Sequence, residues 1–371
     1  MKKRSPLLPI SLLLSLIGLF FIAISSLSEA SSTAGDKFFF LKKQLIWIPL
    51  SLVAFYISSK IDLKLVKKYA TPLYFLSIAL LILVFIPGFS TTILGAKRWL
   101  NLGFFAIQPS EIFKLSAIIF FSSIFSKVEY LTTKNLLIYL LPGLLLIILE
   151  PNLSTTILVT AIVFTLFYIG NGNILSIFSI SSVALILGII LIVTSPYRQA
   201  RLQTLLNPES NDSTSYHSQQ ITIGLASGGI AGKGLANSDQ KYKFLPKLST
   251  DSILAVIGEE TGFIGILLII YLYLLLIFQI LKSSRLVKDP FYSLILTGIA
   301  SWIAYQSLIN IFAIASLIPL TGVPLPFVSY GGSSLLTLFA ALGIARNIER
   351  QELSSPNHQK TTSPTKAAKA L

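Results

Sequence analysis

Residues 252–281 read SILAVIGEETGFIGILLIIYLYLLLIFQIL, a run whose only charges are two adjacent acids, Glu259 and Glu260. About 20 consecutive apolar residues cross a bilayer as a helix, so this stretch alone predicts a membrane span. Moving outward with the same ruler predicts ten spans: 7–27, 40–58, 72–87, 110–126, 134–149, 153–169, 174–194, 252–281, 292–317 and 327–347. The composition agrees. Lys and Arg number 29 against 15 Asp and Glu in 371 residues, a net charge of +14, yet only 12% of the chain is charged and 53% is hydrophobic. Mean hydropathy is +0.78, and soluble domains carry about twice this share of charge. The expected fold is an all-α polytopic membrane protein of about ten transmembrane helices. One large extracytoplasmic loop, 195–250, separates helices seven and eight.

Composition also excludes function classes. Disorder needs low hydrophobicity and dense charge. A nucleic-acid binder gathers its basic residues on one face, whereas here they punctuate apolar runs. With no Cys there is no disulfide, thiolate nucleophile or Cys-ligated zinc, and two His, His217 and His358, give no basis for a His-based metal site or triad. The first span follows Lys2-Lys3-Arg4 like a secretory signal, but its apolar stretch exceeds a signal's h-region and predicts an uncleaved helix. With the N-terminus inside, inner segments carry seventeen Lys and Arg and the short outer segments five. The positive-inside rule then places both termini in the cytoplasm, with the excess positive charge facing anionic membrane lipids. Residues 1–352 form one domain on this reading, and 353–371, rich in Ser, Thr, Pro and Lys, form a disordered cytoplasmic tail.

Ionisable groups in a membrane are expensive and mark function or a compensating partner. Five acids lie in or at the ends of spans, all toward the outer leaflet: Glu111, Glu150, Asp251, Glu259 and Glu260. Lys97 and Arg98 precede the fourth span on that side. A transporter concentrates polar groups near the midplane; a gathering at the outer surface beside the long loop suits chemistry on something presented there. Each acid also has a plainer reading. Glu111 and Lys114 are i,i+3 on one helical face and can neutralise each other. Glu150-Pro151-Asn152 is a tight outer turn, with Glu150 expected in solvent. Glu259 and Glu260 point about 100° apart on a helix, so one is expected on a polar partner and the other toward a cavity. Asp251, after Ser249-Thr250, fits an N-terminal cap. Glycines at 228–234 beside Lys233, with Asn237-Ser238 and Gln240-Lys241, offer exposed backbone donors suited to phosphate. The run from Pro319 to Ser334, with Pro319, Gly322, Pro324 and Pro326, is a second irregular outer segment, tolerated only if buried in protein or lining a wet cavity.

These residues carry a family likeness. Gly95-Ala96-Lys97-Arg98-Trp99-Leu100-Asn101, Gln108-Pro109-Ser110-Glu111 with Lys114, and Gly232-Lys233-Gly234-Leu235 come first. Then come Phe244-Leu245-Pro246, Thr250-Asp251, Ile257-Gly258-Glu259-Glu260 and Pro319-Leu320-Thr321-Gly322-Val323-Pro324-Leu325-Pro326-Phe327-Val328-Ser329-Tyr330-Gly331-Gly332-Ser333-Ser334. In that order the chain resembles the SEDS family (shape, elongation, division and sporulation) of peptidoglycan polymerases, and Asn237-Ser238 with Gln240-Lys241 resembles its FtsW branch more than its RodA branch. It departs at Lys247 and Ser249, where the family commonly has Glu and His, and at Glu150-Pro151-Asn152, where the family has Gln-Pro-Asp.

The resemblance implies a peptidoglycan glycosyltransferase that polymerises lipid II at the outer face of the bacterial cytoplasmic membrane, at the division septum for the FtsW branch. It implies Asp251 as the catalytic base; Arg98, Lys233 and Lys241 are then the candidate diphosphate contacts, with Ser329 and Ser333 as further candidate substrate contacts and Glu111, Lys114, Glu259 and Glu260 supporting the site. It also implies a class B penicillin-binding transpeptidase and other division or elongation membrane proteins as partners. A Mg or Mn ion at the diphosphate is compatible with this chemistry, although the sequence shows no metal ligand set. An elongation polymerase, a lipid II flippase and a non-catalytic scaffold are the competing readings.

Overall fold

In the computed structural model, residues 5–33, 38–93, 96–101, 103, 105–206, 213–238 and 250–352 are described. The tail 353–371, and with it the expectation of disorder, lies outside them. The helices are α1 (Leu7–Thr33), α2 (Phe39–Ser58), α3 (Leu63–Lys68), α4 (Ala70–Leu83), α5 (Pro109–Phe125), α6 (Thr133–Leu149), α7 (Leu153–Ile169) and α8 (Ile174–Val193). They continue with α9 (Pro196–Leu206), α10 (Ser213–Gly228), α11 (Ile253–Leu286), α12 (Pro290–Ile314) and α13 (Gly332–Glu352). Five of them, α1, α2, α8, α11 and α12, are long and apolar enough to cross a membrane, and α4, α6 and α7 are shorter apolar helices.

Local chemistry sets the helix starts. Thr132 and Asn152 accept the backbone N–H of Asn135 and Thr155 at the starts of α6 and α7. Asp289 does the same for Phe291, before Pro290 at the first position of α12. Such caps satisfy N–H groups that have no partner inside the helix. α12 is the hub, packed on α5, α7 and α11. α13 lies along α2, with the Cβ position of Gly332 only 2.0 Å from the Trp47 ring and that of Gly343 2.0 Å from Ser58 Oγ. Any larger residue would push these two helices apart. α8, by contrast, buries none of its residues in the protein.

Two features depart from the expected fold. Between α4 and α5 a small antiparallel sheet forms, β1 (Ser90–Ile93), β2 (Ala96–Asn101) and β3 (Ala106–Ile107), in that spatial order. Leu100 stands opposite Ser90 on one side and Ile107 on the other. The region expected as a single loop, 195–250, holds the two helices α9 and α10 among its described residues. Several expected spans also begin or end elsewhere: α1 runs on to Thr33 and α11 to Leu286, α4 ends at Leu83 rather than 87, and α13 starts at Gly332 rather than 327, because 327–331 is irregular.

Candidate functional site

The first turn of α11 is the centre of the site. The helix starts at Ile253 with Ser252 as its cap residue, which makes no side-chain capping bond. Asp251 therefore stands one residue before the cap, and the capping role expected for it is not the one it plays. Ser252 Oγ lies 3.2 Å from His217 Nε2, tying α10 to this start. Half-buried Asp251 presents its carboxylate to Gly322, whose Cβ position lies 3.3 Å from Asp251 Oδ2. Gly322 has φ +67°, in the left-handed region that glycine enters at no steric cost.

Gly322 belongs to the segment joining α12 to α13. That chain is not helical, so its carbonyls need other donors, and side chains supply them. Asn310 Nδ2 donates to Val323 O (2.8 Å) and to Asp251 O (3.2 Å), and Gln306 Nε2 donates to Pro324 O (2.9 Å). Tyr273 Oη donates to Pro326 O, Arg201 Nη1 to Leu320 O (2.6 Å) and Ser154 Oγ to Thr321 O (3.3 Å). The two serines expected to contact substrate also serve this segment. Buried Ser329 accepts from Leu325 N (2.9 Å) and buried Ser333 from Gln108 N (3.1 Å).

Arg98, on β2, turns its guanidinium onto the α6–α7 turn, with Nε donating to Glu150 O (2.9 Å) and Nη2 to Pro151 O. Glu150 corrects the expectation of a solvated acid: it is 1% exposed, and neither carboxylate oxygen has a hydrogen-bond partner among the described residues. Burial pushes its carboxyl up to about 8, against the pull of the neighbouring Arg98 charge. Ser154, the second residue of α7, links this turn to Thr321 and so to Gly322 and Asp251.

Beneath this surface Lys114 Nζ pairs with Glu111 Oε1 at 2.7 Å, with side-chain exposures of 1% and 5%. The neutralising i,i+3 pair is thus present, and Lys114 reaches further. Its ammonium donates to Gln306 Oε1 (2.9 Å) and lies 4.9 Å from the Trp302 ring centre. Gln306 Oε1 also accepts from Trp302 Nε1 (2.7 Å).

Glu259 and Glu260 do not divide between a partner and a cavity as expected; both bind the chain that follows α10. Glu259 Oε1 accepts from Lys233 Nζ (2.9 Å), and its Oε2 accepts from Ser238 Oγ. Glu260 Oε2 accepts from Ala236 N (2.9 Å). The main-chain N–H groups of Lys233 and Gly234 reach Glu259 O and Glu260 O (2.9 and 3.1 Å). Those carbonyls are accessible because α11 breaks at Gly262, where φ is +69° and ψ −165°. Lys233 is therefore engaged by an acid at this break. Lys241 lies outside the described residues. Among the described residues no group of three or more His, Asp or Glu could hold a metal ion.

Residues 5–354 match the family of cell cycle proteins named for FtsW, RodA and SpoVE. The chain belongs to this family. It is 34% identical over 349 residues to a probable peptidoglycan glycosyltransferase FtsW of Trichlorobacter lovleyi, covering 91% of this chain and 92% of that protein. It is 33% identical over 363 residues to the stage V sporulation protein E of Bacillus subtilis, covering 94% and 98%. Among solved structures it resembles the rod shape determining protein RodA of Thermus thermophilus, with a TM-score of 0.71 at 21% identity over 96% of this chain and 99% of that one. It likewise resembles a chain of a peptidoglycan synthase complex that coordinates polymerization and crosslinking, with a TM-score of 0.78 at 23% identity, covering 96% and 100%.

As a member of the FtsW–RodA–SpoVE family the chain is an integral membrane protein. Its structure brings Asp251, Arg98 and the 319–334 segment to one end of the bundle, linked through Ser154, Gly322 and Asn310. The sequence reading passed over Gln306 and Asn310. The signal was there: two carboxamides four residues apart in a span without charge, on one helical face and costly unless partnered.

Proposed function

We propose that this protein is a peptidoglycan glycosyltransferase that polymerises lipid II into glycan strands at the outer face of the cytoplasmic membrane, in the FtsW branch and so for septal wall synthesis. Both termini are cytoplasmic on this reading, which puts Asp251 and the 319–334 segment outside. The observation that carries the proposal is a half-buried carboxylate, Asp251, set against a glycine-lined irregular segment in a chain whose relatives are named peptidoglycan glycosyltransferases.

The chemistry is an inverting displacement. The acceptor sugar hydroxyl forms a bond to the donor's anomeric carbon as the bond from that carbon to the lipid diphosphate breaks. Asp251 takes the hydroxyl proton, and the diphosphate leaves with the bonding electrons. A base within hydrogen-bond reach and fixed positive charge at the leaving group are what such a transfer requires. Arg98 supplies charge at this end of the bundle even though two of its donors hold the Glu150–Pro151 turn. Among the described residues no three His, Asp or Glu are grouped to hold a metal ion; a Mg or Mn ion at the diphosphate would rest on fewer protein ligands and on the phosphate oxygens themselves. Membrane helices around the site hold the polyprenyl chains and fix the two substrates at reacting distance. A class B penicillin-binding transpeptidase is the proposed partner, in line with the synthase complex that shares the fold.

The test is polymerisation of labelled lipid II by the purified protein, with and without a transpeptidase partner, comparing wild type with Asp251→Asn on a gel. A glycan ladder from the wild type alone supports both the activity and the base. Full activity in the variant removes Asp251 from the mechanism. No ladder from either protein, with partner present, rejects the polymerase and moves lipid II transport ahead.

A further inference from the structure

The buried carboxamides of α12 do more than fill a helix face. Gln306 is wholly buried and Asn310 is 2% exposed. Hydrogen-bond chemistry fixes which way each faces. A lysine ammonium and an indole N–H only donate, so the Gln306 atom that meets both Lys114 (2.9 Å) and Trp302 (2.7 Å) is its oxygen, and its nitrogen faces Pro324 O. The two partners of Asn310 are carbonyls, which only accept. Its nitrogen therefore faces them, and both amide hydrogens are spent, one on Val323 O and one on Asp251 O.

One nitrogen thus holds Asp251 and the residue after Gly322 at the same time, and Gly322 is the residue against which the Asp251 carboxylate rests. One turn earlier on α12, Gln306 holds the next carbonyl, Pro324 O, and is itself held by the buried Lys114–Glu111 pair. We infer that Asn310 is a positioning residue for the Asp251 base, and that Gln306 links the Glu111–Lys114 pair to the same segment. Neither carboxamide touches the reacting atoms. Their part is to fix the gap between Asp251 and Gly322, and hence where the carboxylate points. A side chain that only satisfied buried backbone would show its loss in stability; a positioning side chain shows it in turnover by folded protein.

This inference rests on the glycosyltransferase reading and on Asp251 as its base, so the experiment carries both controls. Wild type, Asp251→Asn, Asn310→Leu and Gln306→Met are purified in detergent. For each, kcat and KM for lipid II, the pH–rate profile and the midpoint of thermal unfolding are measured. Asn310→Leu keeps the branched shape of the side chain and removes the shared donor. The expected result is a fall of at least tenfold in its kcat, a KM within twofold of wild type, and an unfolding midpoint within a few degrees. The acid limb of its pH profile stays in place, because a misplaced base loses rate rather than ionisation. Gln306→Met is expected to show the same pattern with a smaller fall, since its grip lies one residue further from Gly322.

An active wild type with inactive Asp251→Asn and undiminished Asn310→Leu overturns this inference and leaves the function standing. So does a kcat that falls only in step with the unfolded fraction, or a raised KM at unchanged kcat. If Asn310→Leu does not fold, Gln306→Met decides, and an unchanged kcat there overturns the inference. An active Asp251→Asn, or a wild type that makes no polymer with its partner, overturns the base or the polymerase, and this inference with it.

Discussion

Removing Lys114 should cost more than removing Lys114 and Glu111 together. In the native protein the two form a buried pair at 2.7 Å, and Glu111 Oε2 has no hydrogen-bond partner among the described residues. Lys114→Met leaves the Glu111 carboxylate in a helix-packed interior with no countercharge, and takes from Gln306 Oε1 one of its two donors. Breaking a buried ion pair from one side costs about 3–5 kcal/mol, whereas replacing both members with apolar side chains of similar volume is often neutral. The single variant is therefore expected to lose about 3–5 kcal/mol. Glu111→Leu/Lys114→Met is expected to recover most of that, short by about 1 kcal/mol for the lost bond to Gln306. Reversible unfolding in mixed micelles, titrated with SDS and followed by circular dichroism, measures both. A double variant as unstable as Lys114→Met alone would refute the reasoning, because the cost would then lie in lost packing or in the Gln306 bond and not in a stranded charge.

Two further outcomes follow from the site. Glu150 ionises near 4.5 in an unfolded chain and only at about 8 in the fold, so the folded state holds a proton that the unfolded state lacks between those values. Stability therefore falls as pH rises from about 4.5 to about 8 and then levels off; Glu150→Gln should flatten that slope and gain at most about 5 kcal/mol at pH 9, and an unaltered slope in the same unfolding assay counts against a neutral buried acid. Gly322→Ala forces a side chain into the left-handed region for about 1–2 kcal/mol and sets its Cβ 3.3 Å from Asp251 Oδ2; polymerisation per folded protein should drop more than stability does, and a variant with wild-type turnover would separate Gly322 from the base.

Much of this was legible in the order of residues because membranes make sequence blunt. Long apolar runs announce helices, and the i,i+3 spacing of Glu111 and Lys114 announces their pairing, since both signals are local. The β1–β3 sheet was not legible: its strands are short and lie between two apolar spans that dominate any window. The burial of Glu150 escaped because a Glu-Pro-Asn turn looks solvated until Arg98, fifty-two residues earlier, is folded over it. The pairing of Glu259 with Lys233 depends on a helix break at Gly262 that only the assembled α10–α11 contact explains. Gln306 and Asn310 were legible and unread, because attention to charge passes over neutral amides that a membrane interior makes almost as costly to leave unpaired.

The segment beside Asp251 shows how one fold can place a carboxylate without a rigid loop of its own. The carbonyls of Leu320, Thr321, Val323, Pro324 and Pro326 are each held by a side chain from elsewhere: Arg201 of α9, Ser154 of α7, Asn310 and Gln306 of α12, and Tyr273 of α11. Helical backbone satisfies itself, but this stretch cannot, so its shape is set by where four helices stand relative to one another. The Asp251 carboxylate rests on that stretch, and its main-chain carbonyl shares a donor with it. A shift of any one helix would therefore have to break a side-chain bond or carry the segment with it, and in the second case it would re-aim the Asp251 carboxylate.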